Sequence, residues 1–205
     1  MEETFGVILA GGLARRLGGV DKALIDIGGE TILHRLVGRL APQCAGIALN
    51  ANGDASRFEG YALPVIPDGL AGYAGPLAGL LAGLDHVAAT HPKIADVVTV
   101  PADTPFVPRD LVAKLRAARS HAQCRIAVAK SADRAHHAVA LWPVALREDL
   151  RHALITEDLR QVSAFIARYD ACVVEWPAAP LDPFFNVNEP SDIERAKQIA
   201  ALAQH

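Results

Sequence analysis

Short apolar runs alternate with stretches of helical periodicity along the first half of the chain. Four runs predict buried strands, at residues 5–9, 46–50, 61–66 and 96–101. Three stretches repeat apolar residues at three- and four-residue spacing and predict helices, at residues 31–40, 77–87 and 111–118. An order of strands and helices in turn favours an α/β fold with a mostly parallel sheet and helices on both faces.

The second half is less regular. Candidate strands lie at residues 126–129, 138–142 and 171–176, and candidate helices at 144–155, 161–167 and 191–203. Strand pairing can be mixed in this part of the sheet. The proline-rich stretch 177–183 is short enough to be a loop, so we expect one domain over residues 1–205.

Composition narrows the possible partners. A chain of 205 residues with 51% hydrophobic residues can bury about 70% of its unfolded surface in one core. The net charge of -3 gives no general attraction to nucleic acid or to an anionic membrane, and no apolar run approaches the roughly 18 residues of a membrane span. Cys44, Cys124 and Cys172 are widely spaced, so we expect reduced thiols in a cytoplasmic protein.

A glycine-rich segment follows the first predicted strand, where open α/β sheets place their ligands. Residues 9–22 contain four glycines, and Arg16 and Lys22 supply positive charge. Exposed backbone N–H groups and cations together suit a triphosphate. The segment matches neither the dinucleotide fingerprint nor the P-loop pattern, and by itself it is also compatible with a flexible turn carrying two solvated cations.

The residue order in this segment is similar to that of a known family. Leu-Ala-Gly-Gly at residues 9–12, followed by Arg16, Gly18 and Lys22, resembles the signature loop of the molybdenum cofactor guanylyltransferase family. The resemblance implies a GT-A-like, Rossmann-like nucleotidyltransferase fold with this loop over GTP. It also implies that Leu9, Ala10, Gly11 and Gly12 contact GTP and that Lys22 and Arg16 act in catalysis.

Asp103 follows the predicted strand 96–101 in the order Pro101-Ala102-Asp103-Thr104-Pro105. A carboxylate at a strand end can hold Mg²⁺ against a phosphate, or it can cap the helix that begins near Pro108. The proline-punctuated order resembles the metal-binding motif of the family. The resemblance therefore implies that Asp103 is catalytic, binds Mg²⁺ and contacts GTP through it.

Three further positions are candidates for nucleotide binding. Asn50 ends the second predicted strand and Asp68 follows the third, and both carry groups able to recognise ribose or a base edge. Gly75 opens a Gly-Pro-Leu-x-Gly turn before a predicted helix. The resemblance implies nucleotide contacts for all three, whereas Gly79 and Gly83 can be explained by close packing of the helix on the sheet.

Acceptor contacts are implied near the end of the chain. Asn186 and Asn188 project from the same side of an extended segment that resembles the family's Asn-Val-Asn motif, and Arg160 lies where relatives carry two adjacent basic residues. Here the second basic position is Gln161. His136 and His137 lie beside a candidate strand without a metal-ligand partner in the sequence, so we interpret them as structural or facing the acceptor.

The resemblance implies transfer of GMP from GTP to molybdopterin, with Mg²⁺ as cofactor and with delivery proteins and molybdoenzyme chaperones as possible partners. Gly11 favours guanylyl over cytidylyl transfer, because cytidylyl-transferring relatives commonly have alanine there. The alternatives are a molybdenum cofactor cytidylyltransferase, a sugar-1-phosphate nucleotidyltransferase and a nucleotide-binding regulatory domain without turnover.

Overall fold

The computed structural model describes residues 3–11, 21–70 and 75–202. The strands are β1 Thr4–Leu9, β2 Gly46–Asn50, β3 Val65–Ile66, β4 Asp96–Pro101, β5 Ile126–Ser131, β6 Arg134–Pro143 and β7 Ala171–Trp176. The α-helices are α1 Ile32–Leu40, α2 Pro76–Thr90, α3 Leu111–Ala122, α4 Arg147–Ile155, α5 Val162–Ile166 and α6 Pro190–Leu202. None of these helices has the length and apolar character needed to cross a membrane.

The described strands form one sheet in the order β3-β2-β1-β4-β6-β5-β7. β1 pairs in parallel with both β2 and β4, and β2 pairs in parallel with β3. β6 runs antiparallel to β4 and β5, whereas β5 and β7 are parallel. The prediction of a mostly parallel sheet with mixed pairing in the second half is confirmed.

Helices cover both faces of the sheet, as predicted. α1 and α3 pack on one face, where Leu36, Leu40 and Leu115 are fully buried. α2, α4 and α5 pack on the other face, where Leu84 and Leu150 are fully buried. Apolar burial on both faces explains why the central strands consist of continuous apolar runs without polar alternation.

Helix α2 packs closely on the sheet because two of its residues are glycines. A Cβ atom added at Gly79 would lie 2.2 Å from Oδ1 of Asn50, and one at Gly83 would lie 2.8 Å from Cγ2 of Val7. Neither position tolerates a side chain without a shift of its neighbours. Packing therefore accounts for both glycines, and this closeness also buries Asn50 beneath the helix.

Two sequence-based expectations are wrong. The strand predicted over 61–66 is reduced to Val65–Ile66, because a 3-10 segment at Ala55–Tyr61 ends at Ala62 in a left-handed conformation and breaks the extended chain. Cys124 and Cys172 form a disulfide rather than two thiols, because the pairing of β7 with β5 brings their Cα atoms to 5.8 Å. Cys44 is a free thiol, and burial raises its pKa to about 12.

Candidate active site

The carboxyl ends of the three central parallel strands meet at one edge of the sheet. Leu9 of β1 lies in register with Asn50 of β2 and with Pro101 of β4. Two backbone hydrogen bonds continue the pairing beyond the strands, from Ala10 N to Asn50 O at 2.8 Å and from Ala102 N to Leu9 O at 2.9 Å. The loops that carry the predicted site residues therefore leave the sheet side by side.

Asp103 lies at the centre of a polar cluster built from three distant parts of the chain. The Lys22 ammonium is 3.7 Å from Asp103 Oδ2 and donates to Asn188 Oδ1 at 2.6 Å. The Asn186 amide donates to Asp103 Oδ1 at 3.3 Å, and the backbone N–H of Val187 donates to the Asp103 carbonyl at 2.9 Å. The structure thus brings together the residues singled out as the metal ligand, the loop cation and the asparagine pair.

Short local structures hold the members of this cluster in place. The Asp21 carboxylate accepts from Ala23 N at 3.1 Å and caps the 3-10 turn Lys22–Leu24. Asp192, in the first turn of α6, accepts from the backbone N–H groups of Asn188 and Glu189 at 2.9 Å each. These bonds fix the chain on either side of the Lys22–Asn188 contact.

Burial makes the Asp103 carboxylate a strong site for a cation. Its side chain is 20% exposed. Burial raises the pKa of Asp103 above its usual value, although the Lys22 charge and the Thr104 hydroxyl act in the opposite direction. The neighbouring charge therefore does not fully compensate the desolvation of the carboxylate, and a further cation beside it stabilises the ionised form.

The donor set suits a hard divalent ion delivered together with a ligand. Carboxylate and amide oxygens are the protein groups that such ions prefer, and Mg²⁺ commonly takes only one or two carboxylates plus phosphate oxygens. Among the described residues, no three His, Cys, Asp or Glu side chains are placed to hold a metal by themselves. Asp103, with Asn186 beside it, fits a metal whose remaining ligands come from phosphates and water.

A second polar cluster lies on the other side of Leu9. Asn50 is only 2% exposed, and its amide donates to Ile66 O at 3.1 Å and to Asp68 Oδ1 at 2.9 Å. Asn52 donates to Asp68 Oδ2 at 2.7 Å and accepts from Asp68 N at 2.9 Å. The buried Asn50 therefore positions Asp68, while Asp68 and Asn52 form the accessible part of the cluster.

Gly11 and Gly75 line one cleft with Leu9 and Asn50. Gly75 has φ of 130°, in the region that favours glycine, and it precedes the first residue of α2. Its carbonyl accepts from the N–H groups of Ala78 and Gly79 at 3.2 and 3.3 Å. The amino end of α2 thus faces the cleft, which places Gly75 beside Gly11.

Arg57, which no sequence motif indicates, joins the two polar clusters. It donates to Asp21 Oδ2 at 3.0 Å and to Asn52 O at 2.8 Å, and it also contacts the carbonyl of Asp54. Its guanidinium lies over the Phe58 ring at 4.5 Å. One side chain therefore ties the turn that carries Lys22 to the segment that carries Asn52.

Of the remaining predicted site residues, only Arg160 is described by the structure. Gly12 and Arg16 lie outside the described residues. Arg160 is exposed and pairs with Asp158 through a hydrogen bond of 2.7 Å from Nε. It is not among the residues that line the clefts around Asp103 in the described part of the chain. Its role in acceptor binding stays a prediction.

The chain is similar to proteins of one family over most of its length. A family model described as the MobA-like NTP transferase domain matches residues 6–172. The chain is 54% identical over 197 residues to the molybdenum cofactor guanylyltransferase of Rhodopseudomonas palustris (strain BisB5), which spans 96% of this chain and 94% of that protein.

Solved structures share the fold. Molybdopterin-guanine dinucleotide biosynthesis protein A from Archaeoglobus fulgidus superimposes with a TM-score of 0.74 at 24% identity, over 97% of this chain and 99% of that one. A Mycobacterium tuberculosis H37Rv protein solved in complex with manganese gives a TM-score of 0.68 at 16% identity, over 96% and 98% of the two chains. The predicted GT-A-like nucleotidyltransferase architecture is confirmed.

Proposed function

The chain belongs to the family of MobA-like NTP transferases, and on this basis we propose that it transfers GMP from GTP to molybdopterin and releases pyrophosphate. The product is the guanine dinucleotide form of the molybdenum cofactor. The observation that carries the proposal is the cluster of Lys22, Asp103, Asn186 and Asn188 at the carboxyl ends of the central strands. Lys22 also belongs to the segment 9–22, whose residue order resembles the signature loop of this family.

We assign the parts of GTP to two clefts beside Leu9. The cleft lined by Gly11, Asn50 and Gly75 receives the nucleoside, with Asp68 and Asn52 at its rim to bond the ribose or base. The cleft lined by Ala10, Lys22 and Asp103 receives the phosphates. Lys22 neutralises the triphosphate and stabilises the charge that builds up on pyrophosphate as it leaves.

We propose Mg²⁺ as the metal, held by Asp103 with the Asn186 amide beside it. The buried carboxylate supports this assignment, because its charge is incompletely compensated by Lys22. A bound divalent ion polarises the phosphate oxygens and neutralises their charge. The protein's own residues hold the α-phosphate in position for attack by an oxygen of the acceptor phosphate.

The transfer forms one bond and breaks one bond at the α-phosphorus of GTP. An oxygen of the molybdopterin phosphate bonds to the α-phosphorus, and the bond from that phosphorus to the oxygen bridging to the β-phosphate breaks. The acceptor phosphate is already anionic at neutral pH, so no general base is needed. Delivery proteins and molybdoenzyme chaperones remain predictions from the family resemblance. A cytoplasmic location remains a prediction from the cysteine spacing.

The proposed reaction can be tested with purified protein, Mg²⁺, GTP and molybdopterin. We expect stoichiometric pyrophosphate and a guanine dinucleotide product detectable by mass spectrometry. Faster turnover with CTP would instead make the protein a cytidylyltransferase. Turnover only when a sugar 1-phosphate replaces molybdopterin would identify a sugar-activating enzyme. Tight GTP binding without pyrophosphate release from any acceptor would identify a regulatory domain.

Gly11→Ala is expected to reduce the preference for GTP over CTP. A Cβ atom at residue 11 would lie 3.5 Å from Asn50 Oδ1, 3.8 Å from Asn52 Nδ2 and 3.9 Å from Asp68 Oδ2, which are ordinary contact distances. The variant should therefore fold, while its methyl group narrows the nucleoside cleft more for a purine than for a pyrimidine. We expect the ratio of kcat/KM for GTP to that for CTP to fall by roughly 10-fold.

Gly38→Ala is the matched control for this substitution. Gly38 lies in α1, and a Cβ atom there meets nothing within 4 Å. This variant should keep the wild-type nucleotide preference. If Gly11→Ala shows the same ratio as Gly38→Ala, the methyl group does not reach the base and Gly11 has no part in base selection.

Arg57→Ala is expected to weaken GTP binding through the residues that Arg57 positions. The substitution frees the Lys22 turn and the Asn52 segment together, so we expect KM for GTP to rise by roughly 10-fold. KM for molybdopterin should change little. Arg57→Lys should recover only part of the loss, because an ammonium cannot reproduce the planar fork that serves Asp21, Asn52 and Asp54 at once.

Arg125→Ala serves as the control for a lost arginine that stacks on an aromatic ring. Arg125 lies 5.4 Å from the Tyr169 ring centroid, at the amino end of β5 and away from the site. A shift in KM for GTP of the same size in both variants, or full recovery in Arg57→Lys, contradicts the positioning role.

A further inference from the structure

The hairpin of β5 and β6 carries a large irregularity next to the active site. Val128 pairs with Ala140, but the next residue, Ala129, pairs with His136. One step along β5 therefore matches four steps along β6, and residues 137–139 bulge out of the ladder. Bulges of this kind re-aim side chains and recur next to active sites.

Two hydrogen bonds through Thr99 of the neighbouring strand hold the bulge in position. Thr99 of β4 donates through its hydroxyl to Ala138 O at 2.9 Å, and the Trp142 indole donates to that hydroxyl at 2.8 Å. Thr99 and Trp142 are both buried to 1% exposure. The bulge is thus a fixed part of the fold rather than a loose turn.

The bulge forms one wall of a cleft of about 150 Å³ beyond the end of β4. The polar side chains that line it are Thr104, Arg134, His136, His137 and Asn186. Thr104 and Asn186 also contact Asp103, from 3.4 and 3.3 Å. Pro101 and Ala138 line both this cleft and the nucleoside cleft, so the two clefts meet at this pair of residues.

The cleft has the charge and the polar groups for an anion. Arg134 is exposed and forms no ion pair among the described residues. The His136 ring is fixed by a 2.8 Å hydrogen bond to Ser131 and by a tilted contact with the Phe184 ring, whose centroid is 4.8 Å away. Burial lowers the pKa of His136, and the nearby Asp182 carboxylate acts in the opposite direction. His137 carries no such structural contact among the described residues.

We propose that this cleft binds the phosphate monoester of the acceptor, with Arg134 and His137 as its ligands. The inference rests on the proposed function and assigns the acceptor side of that same site. GTP occupies the clefts on the Gly11 and Lys22 sides of Asp103, so the acceptor oxygen approaches the α-phosphorus from the Arg134 side. Arginine bonds the phosphate through its fork, and the imidazole of His137 adds an N–H donor.

Steady-state kinetics with both substrates tests the assignment. Arg134→Ala and His137→Ala should each raise KM for molybdopterin by about 10-fold, while KM for GTP and kcat stay within about twofold of wild type. Arg134→Lys should recover part of the loss. Arg109→Ala, which removes an exposed arginine at the opposite end of the sheet, is the matched control and should leave both KM values unchanged.

A binding measurement keeps this test separate from that of the proposed function. Inorganic phosphate is titrated into the protein saturated with Mg²⁺ and the α,β-methylene analogue of GTP, and the ring resonances of His137 are followed by NMR. We expect saturable shifts that Arg134→Ala abolishes and Arg109→Ala retains. These shifts without any GMP transfer in the wild type would refute the proposed function but keep the anion site.

Three results overturn the inference. The first is that the wild type is active but Arg134→Ala and His137→Ala have the same KM for molybdopterin as Arg109→Ala. The second is an equal rise in both KM values, which a structural role of the bulge predicts. The third is the absence of phosphate-dependent shifts at His137.

Discussion

The kcat for GMP transfer is expected to fall by roughly three orders of magnitude when Asp103 is replaced by asparagine. The amide keeps the volume of the side chain and its contacts with Asn186 and Thr104 but removes the charge that holds the metal at the α-phosphate. Pyrophosphate release at saturating GTP and molybdopterin measures the loss. Raising the Mg²⁺ concentration should restore little of it.

The same substitution should leave the fold intact and should not lower the thermal midpoint. Burial raises the pKa of Asp103, so in the free protein the ionised carboxylate opposes folding relative to a neutral group. Asp170→Asn, at the exposed amino end of β7, removes a carboxylate without touching the site and is the control. Magnesium-dependent turnover near the wild-type rate in Asp103→Asn would contradict the assignment of Asp103 as the metal ligand.

The fold could be predicted largely from the apolar pattern, because the central strands are buried on both faces. Continuous runs such as residues 5–9 and 96–101 differ clearly from the helical periodicity of 31–40. The failure at residues 61–66 has a local cause. Leu63 and Val65 continue the apolar pattern, but Ala62 takes a left-handed conformation that no residue type in this segment predicts.

The site could be predicted only where a residue follows a strand or belongs to a family motif. Asp103 and Lys22 have such positions, and Asn52 lies two residues after Asn50 and could have been named with it. Arg57 has no such signal, because its role depends on Asp21, 36 residues away, and on backbone carbonyls. The same holds for the bulge in β6, which arises from a register shift that the sequence of either strand alone does not encode.

The disulfide could not be predicted from the sequence either. Cys124 and Cys172 are 48 residues apart and match no spacing motif. Their contact follows from the parallel pairing of β5 with β7, which places Ala127 opposite Cys172. Long-range pairing of this kind depends on the order of strands in the sheet, and the apolar pattern gives the strands but not their order.

Lys22→Ala is expected to weaken GTP binding by about 10- to 100-fold and to lower kcat as well, because the ammonium stabilises both the bound triphosphate and the departing pyrophosphate. GMP lacks the β- and γ-phosphates, so its affinity should change far less. Calorimetry with GTP and GMP, together with turnover assays, measures the two effects.

The geometry of Lys22 also separates a direct role from an indirect one. Its ammonium is 2.6 Å from Asn188 Oδ1 and 3.7 Å from Asp103 Oδ2, so the substitution removes a partner from both residues. If Lys22 acted only by holding Asn188, then Asn188→Ala would reproduce the full loss of GTP affinity. We expect Asn188→Ala to raise KM for molybdopterin instead. Lys93 is an exposed lysine ahead of β4, and Lys93→Ala is the charge-matched control. If Lys22→Ala has the same GTP affinity and turnover as Lys93→Ala, then Lys22 is only a solvated loop residue.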